Sequence, residues 1–142
     1  MAREGSDTIA ILGGNTVVGH ALTLLLAGVG YETRTLEAPP TGLAEDLLGG
    51  ADLLLVSPGL SDERRVESLA ILGGVEQRIR IPVIELASAV EEALFTDEAG
   101  RVPWPTSIHR LAREIEAALQ AAAGETEVRL GRLADSANGS AP

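Results

Sequence analysis

Apolar residues occur along this chain in short continuous runs, separated by longer segments in which they recur every three or four positions. The short runs predict strands buried on both faces, and the recurring positions predict helices with one apolar stripe. The clearest run is Leu53–Val56, which follows Asp52 and ends at the sequence Ser-Pro-Gly that begins with Ser57. It predicts a central parallel strand. Because open parallel sheets bind ligands at the carboxyl ends of their strands, Ser57 is the first candidate site residue.

The same patterns predict a repeating order of strand and helix. Strands are expected over residues 8–12, 31–36, 53–56, 81–86 and 101–102, and helices over 16–29, 43–48, 61–72, 88–94 and from 106 or 107 to a stop at Gly124. We therefore expect a leader over residues 1–7, one domain over 8–123 and a disordered tail over 124–142. Five such units in one domain predict an α/β doubly wound sandwich, with five parallel strands in the flavodoxin-like order 2-1-3-4-5.

Composition excludes several classes of function. The chain has 21 acidic and 11 basic residues and a net charge of −10, which disfavours nucleic acid and anionic membranes as partners. It contains no lysine, so Schiff-base chemistry and a Walker lysine are excluded, and no cysteine, so thiol catalysis and cysteine metal sites are excluded. No apolar run approaches the length of a membrane span, and residues 1–8 do not resemble a signal peptide, so we expect a cytoplasmic protein.

Four short motifs occur in an order that is typical of one family. They are Gly30-Tyr31-Glu32-Thr33, the stretch from Asp52 to Leu60, the stretch from Ile81 to Ala87, and the stretch from Val102 to Pro105. With these motifs the chain resembles the receiver domain of bacterial response regulators from Thr8 to about Ala122. The resemblance implies the predicted fold and a role in signal transduction.

The chain departs from the family at every position that carries phosphoryl chemistry. The family's Mg²⁺-binding acidic pair is matched by Gly13 and Gly14, its phosphoaccepting aspartate by Ser57, its switch threonine by Ala87 and its phosphate-binding lysine by Trp104. Glycine offers no carboxylate to a hard cation, and a serine hydroxyl is a weak nucleophile without an adjacent base. The resemblance therefore predicts a degenerate, phosphorylation-independent pseudo-receiver that is not an enzyme and needs no cofactor or metal.

The turn after the first predicted strand allows a second interpretation. It reads G-x-x-T-x-x-G and contains the candidate ligand-binding residues Gly13, Gly14, Asn15, Thr16 and Gly19. Glycine-rich turns before a helix bind the phosphates of nucleotides in Rossmann proteins, although the middle glycine of that motif is missing here. A small nucleotide- or anion-binding sensor is therefore the alternative function, against a tight turn with no ligand.

The predicted function is docking of a protein partner, or of a second copy as a homodimer. The resemblance implies an interaction face built by the fourth helix, the fifth strand and the last helix. Its candidate residues are Arg101, Trp104, His109, Arg110 and Arg113. A metal held by His20 and His109 is a weaker hypothesis, because two ligands without a third make a poor site, and both are expected to be surface histidines.

Two local predictions test the alignment. The Trp104-Pro105 bond is expected to be cis, as the resemblance implies. Glu85 interrupts an otherwise apolar strand, so it should be buried and paired, with Arg101 on the neighbouring strand as the nearest candidate.

Overall fold

The computed structural model of the protein describes residues 7–74, 79–87 and 101–139, and the side chains of those up to residue 123 except Arg101. Strands and helices alternate through most of this range. The elements are β1 (Thr8–Leu12), α1 (Val17–Gly28), β2 (Glu32–Leu36), α2 (Ala44–Leu48), β3 (Leu53–Val56), α3 (Asp62–Gly73), β4 (Val83–Ala87), β5 (Arg101–Pro103) and α4 (Ile108–Gly139). The helix predicted over residues 88–94 lies outside the described residues.

The five strands form one parallel sheet in the order β2-β1-β3-β4-β5. The predicted fold class and strand order are therefore confirmed. β3, which is buried along its whole length, and β1, which is buried from Ile9 to Leu12, lie inside the sheet, as their continuous apolar sequences predict. The polar strand β2 lies at an edge, where its Glu, Thr and Arg side chains can reach solvent.

Alternate residues of the strands pack into two separate cores. Ile9, Ile11, Leu53 and Leu55 contact the inward residues of α1 and α4 on one face of the sheet. On the other face, residues of the opposite parity pack with Leu60 before α3, Leu72 on α3 and the leucines of α2; these strand residues are Ala10, Leu12, Leu54 and Val56. The period-two alternation of strand side chains thus gives the sheet a helical layer on both faces.

Side-chain caps fix where α1 and α3 begin. The Thr16 hydroxyl accepts a hydrogen bond from the Gly19 N–H at 3.0 Å and begins α1. The Ser61 hydroxyl accepts a hydrogen bond from the Arg64 N–H at 3.3 Å at the start of α3. Each cap satisfies one of the backbone donors that a first helical turn leaves free.

The predicted end of the last helix at Gly124 is wrong, because α4 continues through it to Gly139. A glycine inside a helix costs only about 1 kcal/mol relative to alanine, and the sequence that follows is rich in Glu, Arg and Leu, which favour helix. A single glycine without a proline after it is thus a weak stop signal. The division into a leader, a domain over 8–123 and a tail stays a prediction.

Candidate functional site

The carboxyl ends of four strands meet at one edge of the sheet and carry the candidate residues. In the register, Leu12 of β1 pairs with Val56 of β3, and Ala87 of β4 pairs with Pro103 of β5. Gly13, Ser57 and Trp104 each follow the last residue of their strand directly, and Ala87 is the last residue of its own. The predicted site residues are therefore brought together along this edge.

Ser57 is buried, with 2% of its surface exposed, and its hydroxyl is used inside the protein. The Ser57 Oγ donates a hydrogen bond to the Leu12 carbonyl at 2.8 Å, and the Ser57 N–H donates to the same oxygen at 3.1 Å. A Cβ added to Gly13 would lie 2.5 Å from the Ser57 Oγ. The hydroxyl and the glycine therefore fit each other closely, as expected of a small polar residue that closes a buried strand.

The glycine turn is held to the neighbouring strand by its own backbone. The N–H groups of Gly13 and Gly14 donate to the Leu36 carbonyl at 2.8 and 3.2 Å, and the Thr16 hydroxyl donates to the Gly13 carbonyl at 2.8 Å. Phosphate binding at such turns depends on backbone N–H groups that point at the ligand. Because both N–H groups already donate to the Leu36 carbonyl, they do not support the hypothesis of a nucleotide or anion site. The role of Asn15 in ligand binding stays a prediction.

Gly19 is required by the close approach of α1 to this turn. An added Cβ would lie 2.1 Å from the Gly13 carbonyl oxygen and 2.6 Å from the Gly14 Cα. These neighbours are backbone atoms, which cannot move aside as a flexible side chain can. The spacing of glycines in the turn therefore has a packing explanation that needs no ligand.

Ala87 and Trp104 complete the edge with apolar surface. Ala87 is buried, and its carbonyl accepts a hydrogen bond from the Trp104 N–H at 3.1 Å. The Trp104 side chain is half-buried against the core shared by α1 and α4. The Trp104-Pro105 bond is cis, which confirms that prediction, and the Ala38-Pro39 bond is cis as well.

Glu85 is fully buried and paired with an arginine, as predicted, but the partner is Arg65 rather than Arg101. Glu85 shares a sheet face with Val83, which packs towards α3, whereas Arg101 is its backbone neighbour on β5. Arg65 is 2% exposed and also lies 3.3 Å from the Asp62 carboxylate at the surface. The sequence signal was the position of Arg65 on the inward side of α3, three residues before Ser68 and seven before Leu72.

The predicted interaction face is partly described. His109, Arg110 and Arg113 are exposed on the first turns of α4, and Trp104 lies just before that helix. The Arg110 N–H donates to the Ser107 hydroxyl at 3.1 Å, so that this end of the helix is capped. His20 is also exposed, and no group of three possible metal ligands from His, Cys, Asp and Glu occurs within the described residues.

Among known proteins, only solved structures resemble this chain. No protein-family model matches the sequence, and no curated protein matches it either. Solved structures do match. One is a CheY-like response regulator receiver domain from Methanospirillum hungatei JF-1, with a TM-score of 0.60 and 20% identity over 85% of this chain and 99% of that one.

Two further structures agree with the first. A receiver domain from Clostridium thermocellum has a TM-score of 0.58 and 14% identity over 81% of this chain and 95% of that one. The chemotaxis protein CheY4 from Vibrio cholerae has a TM-score of 0.55 and 12% identity over 80% of this chain and 99% of that one. The chain has the CheY-like receiver fold.

The receiver fold implies a Mg²⁺ ion at this edge of the sheet, but the residues present do not fit it. A magnesium ion takes oxygen ligands in near-octahedral geometry and is usually bound through carboxylates. Gly13 and Gly14 have no side-chain oxygen, and the Ser57 hydroxyl donates to the Leu12 carbonyl. The described residues of this edge therefore offer neither the charge nor the ligands that the ion needs.

Proposed function

We propose that the protein is a pseudo-receiver: a non-catalytic signalling module that works without aspartyl phosphorylation and acts by binding other proteins. The observation that carries the proposal is the state of Ser57, a buried hydroxyl that donates to the Leu12 carbonyl where a receiver presents a nucleophilic carboxylate. The other positions of this edge have no side chain at Gly13, a methyl group at Ala87 and an indole at Trp104. Nothing in this set can activate a phosphoryl group or take up its charge.

Incubation with acetyl phosphate and Mg²⁺ should leave the mass of the intact protein unchanged. The expected result follows because the metal ligands, the acceptor and the phosphate-binding cation are all replaced. Intact-protein mass spectrometry measures it, with a receiver domain that carries the complete acidic set as the positive control. A gain of one phosphoryl group in this protein, under conditions that modify the control, would end the proposal.

We place partner docking on the face made by Arg101, Trp104, His109, Arg110 and Arg113. His109, Arg110 and Arg113 are exposed, and the two arginines add positive charge to a chain whose net charge is −10. Opposite charges at an interface steer association and fix its register, so the partner chemistry that fits is an acidic protein surface. A cytoplasmic location belongs to the same proposal. No helix in the described ranges is long and apolar enough to cross a bilayer.

Charge reversal at Arg113 should remove the protein's specific partners. We expect Arg113→Glu, used as bait in affinity capture from its own cells, to lose at least about tenfold of the captured partner, because a repulsion replaces an attraction. Arg64→Glu is the matched control, since Arg64 is also exposed but lies on α3, across the sheet. Equal losses with both variants would mean that overall charge, not this face, determines binding.

A further inference from the structure

Helix α1 contains no charged residue, although charged residues make up 23% of the chain. Its sequence is V-V-G-H-A-L-T-L-L-L-A-G, and Leu22 and Leu26 pack inward on the sheet. Only His20 and Thr23 are polar, and a helix with so little polar surface is normally buried on most of its sides. Here the outward side is exposed: the exposed fractions are 88% for Val17, 61% for Leu24 and 48% for Leu25.

Four of the exposed residues form one stripe along α1. Val17, Ala21, Leu24 and Gly28 follow each other at intervals of four, three and four residues, and all four are exposed. This spacing places side chains in line on one side of a helix and is the pattern by which two helices pack together. The stripe therefore has the form of a helix-packing surface that no described part of this chain covers.

The stripe is complementary to itself when two copies of α1 lie antiparallel. About a two-fold axis between Ala21 and Leu24, Val17 of one copy faces Gly28 of the other, and Ala21 faces Leu24. Each pair places a large side chain opposite a small one, as close packing requires. A parallel arrangement would instead place Leu24 against Leu24 and leave Gly28 against Gly28. We propose that a second copy of this chain docks on the exposed stripe of α1, antiparallel, to form a two-fold symmetric dimer.

The charge of the chain favours this face over others for self-association. Two copies with a net charge of −10 repel each other, and an uncharged helix is where they can meet without opposing like charges. Added salt screens the remaining repulsion, so the dimer should become tighter as salt rises. A contact between the arginine face and acidic residues would weaken under the same conditions, which distinguishes this dimer from one formed through the face on α4.

The size of the face predicts a weak dimer. The twelve residues of α1 span about 18 Å. A standard stable interface buries about 800 Å² on each partner, and one short helix pair offers less than that. The expected complex therefore forms at high protein concentration and exchanges rapidly.

Sedimentation equilibrium over a roughly hundredfold range of concentration should show a monomer–dimer equilibrium that tightens with salt. Leu24→Glu should raise the dissociation constant at least about tenfold, because it brings two carboxylates together beside the axis. Leu43→Glu is the matched control: it makes the same change at a leucine that is 69% exposed and lies just before α2, outside the stripe. A sedimentation profile that does not change with concentration, or equal effects of the two variants, would overturn the proposal.

Single cysteines test the geometry even if Leu24→Glu fails to fold, because the native chain has no cysteine. Val17→Cys replaces an exposed residue, and a Cβ at Gly28 meets nothing within 4 Å, so both variants should fold. On mild oxidation, a mixture of Val17→Cys and Gly28→Cys chains should give a disulfide between the two variants, and each variant alone should give little. Crosslinking of each variant to itself, with none between them, would contradict the antiparallel arrangement.

Discussion

Replacing Arg65 by methionine should destabilise the folded protein by about 3 kcal/mol or more, because it leaves the Glu85 carboxylate buried without its guanidinium. Glu85 has no exposed surface and Arg65 only 2%, so solvent cannot replace the lost partner. Methionine keeps most of the length of the arginine stem, which limits the effect of a packing defect. The free energy of unfolding from urea titration, followed by circular dichroism, measures the effect.

Removal of the opposite partner should have a different outcome. Glu85→Leu should be better tolerated than Arg65→Met, because the arginine has a long stem and a second partner, Asp62, at the surface. The double variant Arg65→Met/Glu85→Leu should recover most of the loss, since apolar pairs often replace buried ion pairs without cost. If Arg65→Met alone is as stable as the native protein, the ion pair makes no net contribution to the free energy of unfolding.

Gly19→Ala should be the most damaging single methyl group that can be added to α1. The new Cβ would lie 2.1 Å from the Gly13 carbonyl oxygen, so the helix or the turn must move. Overpacking of this kind costs about 1–3 kcal/mol and more where backbone is involved, which exceeds the gain of about 1 kcal/mol in helix propensity. We expect a net loss of about 2 kcal/mol or more, measured as a shift in the urea midpoint.

Gly28→Ala is the matched control in the same helix. A Cβ there has nothing within 4 Å, so only the gain in helix propensity remains and the variant should be neutral or slightly more stable. The two substitutions make the same chemical change nine residues apart. Equal effects would show that the contact between position 19 and Gly13 does not limit which residue can stand there.

The strands and their order could be predicted from the sequence because strands buried on both faces have continuous apolar sequences. The runs Thr8–Leu12 and Leu53–Val56 predict strands with the bounds that the structure has, and the other three strands differ by one or two residues at an end. Packing partners were harder to predict. That Glu85 needs a cation followed from its surroundings, but the choice of Arg65 depends on how α3 is rotated over the sheet, which the sequence of β4 and β5 does not contain.

The sequence predicts which candidate residues follow the strands, but not the hydrogen bonds and close contacts among them. The glycine pattern of the turn is explained equally well by a phosphate ligand and by a tight backbone contact. The distances from a Cβ added at Gly19 to the Gly13 and Gly14 backbone favour the contact, and the sequence does not contain them. The hydrogen bond from the Ser57 hydroxyl to the Leu12 carbonyl could not be predicted from the sequence either, because its acceptor is a backbone group 45 residues away. The end of α4 differs because Gly124 and the small polar residues after it predict a loop, whereas the Glu, Arg and Leu residues among them favour helix.

Trp104 is the only tryptophan in the chain, and it lies at the candidate site, half-buried against the core at the start of the proposed docking face. The intrinsic fluorescence of the native protein is therefore a reporter of this one location. An acidic partner that covers the face changes the polarity around the indole, whereas a second copy bound at α1 leaves it in place. One emission spectrum, recorded with no added dye or label, can thus separate the two association events.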